Sequence, residues 1–241
     1  MRVLDVSNLH GALDETIQAI NEKIEGLETI EKSIAELVNL DRSFTGKGPN
    51  AIKSYYQSCH QPFLFKLKQI LVSYQLKLQT CKEQVNSYEP NHTGFIHDDF
   101  LQGELTKRLT EVQNYTNDVT ADANQFISNV LDIVHVKLLD DAEVNQQVEQ
   151  AKQSINNTVT KLEDFDVEST SSLDQLTVDL QVLTAYIEEM DTKAGVNPRS
   201  LETFSPLQAL MSPTHALLMG SIRSTPMHFF TNGTLAAKRS T

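Results

Sequence analysis

Apolar residues recur every three or four positions along most of this chain, and polar residues fill the positions between them. Leu13, Ile17, Ile20, Ile24, Leu27, Ile30, Ile34 and Leu37 advance by a mean step of about 3.4 residues, close to a coiled-coil seam. They predict a helix over 8–41, capped by Ser7 or Asn8. Ile52, Tyr56, Cys59, Phe63, Leu67, Ile70, Tyr74, Leu78, Cys81, Val85 and Tyr88 advance by about 3.6 and predict a second helix over 50–88. Pro62 falls early in that helix and predicts a kink or a late start. Tyr55, Leu64, Leu71 and Leu76 add a second apolar line, so this helix should touch more than one neighbour.

Between the two helices runs Leu40-Asp41-Arg42-Ser43-Phe44-Thr45-Gly46-Lys47-Gly48-Pro49-Asn50-Ala51. Its two glycines and following proline stop one helix, and Pro49 can open the next. The simplest reading is a helical hairpin. Gly46 and Gly48 form the bend, and a buried Phe44 pins it.

Residues 89–97 read as a loop through their Pro, Asn and Gly. Asp98 or Asp99 suits the start of a third helix, with the stripe Leu101, Leu105, Leu109, Val112, Tyr115, Val119, Ala123, Phe126 and Val130. The β-branched run 133–139 disfavours helix and reads as an extended crossover. Asp140 or Asp141 caps a fourth helix carrying Val144, Val148, Ala151, Ile155, Val159 and Leu162. Asp164 to Ser171 reads as a turn. A fifth helix starts at Ser172 and bears Leu173, Leu176, Leu180, Leu183, Ile187 and Met190. Past Gly195 the periodicity stops. The pattern therefore predicts an all-α fold of elongated antiparallel helical hairpins with about five helices. It divides into a helical domain over 1–194 and an irregular tail over 195–241.

Composition agrees with a helical scaffold and narrows the partners. The chain has 241 residues, a net charge of −12, few Gly and Pro, and no Trp. That acidity argues against nucleic acid and anionic membranes as partners. The tail differs from the body: Arg199, Arg223, Lys238 and Arg239 stand there against one acid, Glu202. Cys59 and Cys81 lie 22 positions apart on one predicted helix. They would be about 33 Å apart on it, too far for a bridge, and read as two buried thiols. The N-terminus lacks the apolar core of a signal peptide. No apolar run in the body is long enough to span a membrane. Residues 203–222 carry no formal charge, but their prolines and hydroxyls favour an irregular tail over a membrane segment.

Candidate chemistry is sparse. Gly46-Lys47-Gly48 is not a phosphate loop, because that motif needs a longer spacing and a preceding strand. His92, His97, Asp98 and Asp99 read as a solvated loop more readily than as a metal site. Thin antiparallel helices offer little concavity, so no enzyme, cofactor or metal is expected. The apolar faces of helices one and two exceed what a hairpin can bury alone. Ile17, Ile20, Ile24, Tyr55, Tyr56, Phe63, Leu67 and Leu71 are therefore candidates for binding a partner helix.

Several blocks occur in an order that resembles LXG-domain proteins. They are Leu9-His10-Gly11; Phe44-Thr45-Gly46-Lys47-Gly48 followed by Ala51-Ile52-Lys53-Ser54-Tyr55-Tyr56 and His60-Gln61-Pro62; Ile133-Val134; Leu138-Leu139-Asp140-Asp141; and Leu162-Glu163-Asp164-Phe165-Asp166. The resemblance covers roughly 3–194, and its specificity lies in the ordered set. It implies a targeting module of polymorphic toxins in Gram-positive bacteria. Such a module is cytoplasmic before export, is secreted without a cleaved signal through the type VII (Esx) system, and is used in competition between bacteria. It further implies a hairpin like that of the W-x-G secretion proteins. Leu9, Gly11, Phe44, Gly46 and Gly48 would supply the targeting motif and corner, and small helical partner proteins and the secretion machinery would be the binding partners. Toxicity in that family resides in a variable C-terminal domain. The 47 residues after position 194 hold no nuclease-like constellation, so a truncated toxin, an orphan targeting module and a fragment all remain open. Two other readings also stay open: a self-associating structural coiled coil, and a small toxin acting on membranes through 203–222.

Overall fold

The computed structural model describes residues 1–40, 43–194 and 204–224. They are overwhelmingly helical. Five helices exceed twenty residues among them: α1 (Val6–Val38), α3 (Gln61–Tyr88), α4 (Thr106–Ser128), α5 (Ala142–Ser171) and α6 (Asp174–Ala194). Three shorter ones are α2 (Lys47–Tyr55), α7 (Pro206–Leu210) and α8 (Pro213–Ser224). The chain divides into two compact units, Met1–His10 with Gln84–Ser169, and Gly11–Glu83 with Thr170–Thr241.

The second unit is built on α1 and α3, which run antiparallel. Lys82 meets Asp14, Gln75 donates to Asn21 at 2.9 Å, and Lys68 pairs with Glu28 at 2.8 Å. Each step of seven along α1 is thus a step of seven back along α3, the repeat of a coiled-coil seam. Beneath these polar clamps Leu27 and Ile34 of α1 close over Leu64 of α3, with Val38, Tyr56 and Leu71 around them. The opposite face of α3 meets α6 and α8, where Ile70, Leu176, Leu183, Tyr186 and Leu218 form a buried cluster. Phe63 and Leu67 pack against both clusters. The second apolar line on this helix marks its second neighbour, as its pattern requires.

Between α2 and α3 the helix widens into a π-helical turn, Tyr56–His60. Pro62 explains it. Proline has no N–H for the Ser58 carbonyl, and its ring would clash with that oxygen in an α-helix. Lengthening one turn, with the Gln61 amide reaching back to the Tyr56 carbonyl, relieves both problems without breaking the rod.

The first unit contains a feature absent from the helical pattern. β1 (Val3–Asp5) pairs antiparallel with β2 (Phe95–His97), Leu4 opposite Ile96. Residues 95–97 are therefore strand rather than loop. The first helix begins at Val6, and its cap is Asp5 rather than Ser7 or Asn8: the Asn8 amide donates to Asp5 Oδ1 at 3.0 Å. Gly94 makes the entry to β2 tight. A Cβ there would lie 2.4 Å from Glu89 Cγ and 2.9 Å from the Asn91 carbonyl oxygen. Leu4, Val6, Val85 and Leu162 form the buried core, with Leu9, Tyr88, Ile96 and Phe165 packed on it.

Two further expectations change here. A π-helical turn, Phe100–Leu105, opens the third long helix, and Thr106 Oγ1 donates to the Leu101 carbonyl within it at 2.8 Å. Asp164 to Ser171 is not a turn but the last part of α5. Phe165 stacks on Tyr88 with ring centroids 6.3 Å apart, and Arg2 pairs with Glu163 at 2.7 Å and Asp166 at 3.6 Å. Tertiary contacts hold this weak stretch helical. Residues 135–141 carry no helix or strand, in keeping with a crossover.

The stretch expected to be an irregular tail is structured over Pro206–Ser224 as α7 and α8. Leu218 of α8 is fully buried, so this segment belongs to the core of the second unit. No helix among the described residues is long and apolar enough to cross a membrane.

Candidate partner-binding surfaces

The corner is a backbone device. Gly46 precedes α2 with φ 113° and ψ 180°, a region essentially closed to residues with a Cβ. Its carbonyl accepts the Asn50 amide at 3.0 Å, and Lys53 Nζ donates to the Leu40 carbonyl across the bend. Gly48 is not a turn residue; it is helical within α2 and faces open space. Phe44 is half-buried rather than enclosed. At the other motif, Leu9 packs on the core of the first unit, while Gly11 is an exposed helical residue with nothing near the position of a Cβ.

The eight candidates for partner contact are largely covered by this chain itself. Ile20 is buried, and Ile17, Ile24, Tyr55, Tyr56, Phe63, Leu67 and Leu71 are half-buried. The second apolar line of helix two was expected to await another polypeptide. Its Leu64 and Leu71 lie instead against α1, while α6 and α8 take the opposite face. Tyr55 meets His60 and Phe204 edge-on, both at 5.1 Å, and Tyr56 stacks on His60 at 4.7 Å. Burial raises the Tyr55 hydroxyl above its ordinary pKa, and burial lowers the His60 imidazole below its own.

α8 is held at both ends by charges of the sign its dipole favours. At its N-terminus the Glu189 carboxylate of α6 accepts hydrogen bonds from Ser212 at 2.6 Å and from Thr214. At its C-terminus Lys66 of α3, 0% exposed, donates to the Ser221 carbonyl at 3.3 Å and pairs with Asp179 of α6 at 2.8 Å. An anion at the first turn and a cation at the last both stabilise a helix. A buried Lys requires such partners, since an uncompensated charge there is strongly destabilising. Tyr186 donates to the Cys59 carbonyl at 3.1 Å, seven residues along from each member of the Lys66–Asp179 pair.

α4 is arranged the other way round. None of its 23 residues is buried. Toward α5 it presents a polar line, with Leu109 and Ile127 half-buried alongside: Gln113 donates to Glu149 at 3.4 Å, Asn145 to Asn117 at 2.9 Å, and Lys152 to Gln113 at 2.9 Å. Asn124 joins the same face by accepting the Leu139 amide at 2.8 Å. The apolar residues Val112, Tyr115, Val119 and Phe126 point elsewhere. At about 100° per residue they centre about 150° around the helix from that polar line. Tyr115 is 72% exposed and Phe126 74%. Ile133, Val134, Val136, Leu138 and Leu139 continue the exposed apolar surface along the crossover. Periodicity revealed this stripe but not its direction, and the Gln, Asn and Thr residues at 113, 117, 120 and 124 were the only sign of which face α5 would take.

The histidines of the 89–97 region have structural roles. His92 lies edge-on to His10 at 6.1 Å, and His97 Nδ1 accepts the Phe100 amide at 3.2 Å. Among the described residues no group of His, Cys, Asp and Glu is arranged to hold a metal ion.

The described residues thus form an all-α scaffold with a glycine-bent hairpin and an apolar stripe on α4 that faces solvent. The family model described as the LXG domain of the WXG superfamily matches residues 2–200, and the chain belongs to that family. It is also similar to toxin YxiD of Bacillus subtilis (strain 168), with 30% identity over 192 residues. The match covers 80% of this chain and 34% of that protein, so the chain spans about a third of its relative's length.

Proposed function

We propose that this chain is the export-targeting and partner-binding domain of an LXG toxin, leaving the cell through the type VII secretion system without a cleaved signal. One observation carries this reading: the LXG match runs over 2–200 of the 241 residues, together with similarity to a protein named as a toxin. Two features of the fold support it. The Gly46 bend gives the hairpin a defined corner, and α4 keeps an apolar seam in solvent. In this reading the chain performs no catalysis, needs no cofactor, and binds small helical proteins and the secretion machinery rather than nucleic acid or lipid.

Secretion tests it. The tagged full chain, expressed in a Gram-positive host with an intact type VII system, should accumulate in the medium. It should stay in the cells of an otherwise identical host whose secretion ATPase is inactivated. Equal amounts in the two media, or none in either, would overturn the proposal.

A further inference from the structure

We infer that the outward face of α4, continued by the crossover, is the docking site for a partner helix. That helix carries apolar residues at heptad spacing and is flanked by Lys and Arg. The inference deepens the proposed function and rests on its partner-binding arm, while naming α4, rather than the α1–α3 hairpin that sequence patterning pointed to, as the site.

Val112, Val119 and Phe126 are spaced by seven, with Tyr115 and Ala123 between them, the spacing at which one helix accepts the side chains of another. Tyr115 and Phe126 are the largest and most exposed side chains of this stripe, and the smaller Val119 and Ala123 fall between them in sequence. No residue of α4 is fully buried, and the hydrogen bonds that join it to α5 are mostly exposed and worth only about 1 kcal/mol each. A helix of this length is marginal in water unless packing supports it. A second helix along the seam would supply the apolar burial that α4 lacks.

Charge selects the occupant. Asp118 and Asp122 lie beside the seam, Asp132 follows it, and no Lys or Arg occurs from position 109 to 136. Lys107 and Arg108, just before it, already lie against Glu111. A second copy would bring the same carboxylates and a further net −12 to the interface. A helix bearing Lys and Arg beside its apolar line instead pairs with these acids and is steered toward them.

The test uses the full chain co-expressed with each small helical protein encoded beside its gene, followed by affinity measurement on the purified complex. The wild type should bind one of them, and binding should weaken as NaCl is raised. Tyr115→Lys/Phe126→Lys and, separately, Val119→Glu should each reduce affinity by roughly tenfold or more, with helicity by circular dichroism unchanged. Ile30→Glu, on the exposed side of α1, should leave it unchanged. Full affinity in the α4 variants, insensitivity to salt, or absence of any bound neighbour would overturn the inference. A homodimer dissociated by the same α4 substitutions, seen by sedimentation, would overturn it in favour of a second copy. Failure here with secretion still dependent on the type VII ATPase would remove the α4 site and leave the targeting role. Loss of that dependence is the failure of the proposed function itself.

Discussion

α8 and α4 make an instructive pair. α8 has 12 residues, opens on a proline and carries Thr214, Ser221 and Ser224, yet it buries His215 and Leu218 completely or nearly so. α4 has 23 residues and a long apolar stripe, yet buries none. Stripe length does not measure burial. A helix is buried when other elements present apolar side chains and satisfy the ends of its backbone. α3 and α6 serve α8 at its middle and both ends: Ile70, Leu183 and Tyr186 pack against it, Lys66 donates to the Ser221 carbonyl, and Glu189 accepts the Ser212 and Thr214 hydroxyls. α4 meets α5 through hydrogen bonds of Asn, Gln, Glu and Lys, and no residue of α4 is fully buried.

The sharpest way to break this contrast is at the buried ion pair. Asp179→Ala leaves Lys66 charged and enclosed, and should lower unfolding stability in urea by about 3–5 kcal/mol. The double change Lys66→Met/Asp179→Leu should recover most of that loss, because an apolar pair needs no charge compensation. If the single variant were as stable as the parent, the clamp on α8 would contribute nothing.

Next comes the core of the same helix. Leu218→Ala should cost about 2–5 kcal/mol, as for other fully buried leucines. A shorter chain ending before α7 should expose Ile70 and Tyr186 and show a lower thermal midpoint. The corner should show a smaller effect. Gly46→Val forces a branched residue into φ 113° and should cost about 1–3 kcal/mol, read as a shift in the urea midpoint.

Acid should act more gently, and through the buried imidazoles. Burial lowers the pKa of both His60 and His215, with Glu189 opposing the shift at His215. The folded state therefore holds neutral rings that the unfolded chain protonates near its ordinary pKa of about 6.5. Their contribution is complete above that pH and is lost as pH falls toward the lower folded values. Urea midpoints should decline between about pH 7.5 and 5.5. His60→Gln and His215→Gln should each flatten that decline.

The smallest effect belongs to α4. Tyr115→Ser and Phe126→Ser should change the stability of the isolated chain by no more than about 0.5 kcal/mol, as at other exposed positions. A loss near that of Leu218→Ala would show that the seam is already packed, and would end the contrast from which a docking face on α4 is inferred.

Legibility from sequence followed the same divide. The long helices, the crossover and the two-sided character of the α2–α3 rod could be read from spacing, because a helix repeats every 3.6 residues whatever surrounds it. The π turn was visible only as a disturbance at Pro62. β1 and β2 were missed because three-residue strands have no period to detect. The end of α5 was misread because Asp, Val, Ser and Thr at 164–171 have weak helical preference, and Arg2 and Tyr88 override it from far along the chain. The candidate contact residues on α1 and α3 were correctly apolar but wrongly expected to be uncovered. The segment that covers them in part, 206–224, has prolines and no clear stripe, and so looked irregular.

The chain alone therefore determines that it is helical, where its long rods begin and bend, and which side of each rod is apolar, since these follow from local geometry and residue chemistry. The folded structure decides which apolar side finds a neighbour. That depends on contacts such as Lys66 with Asp179 or Gln113 with Glu149, made between residues tens of positions apart or more, which no local pattern records.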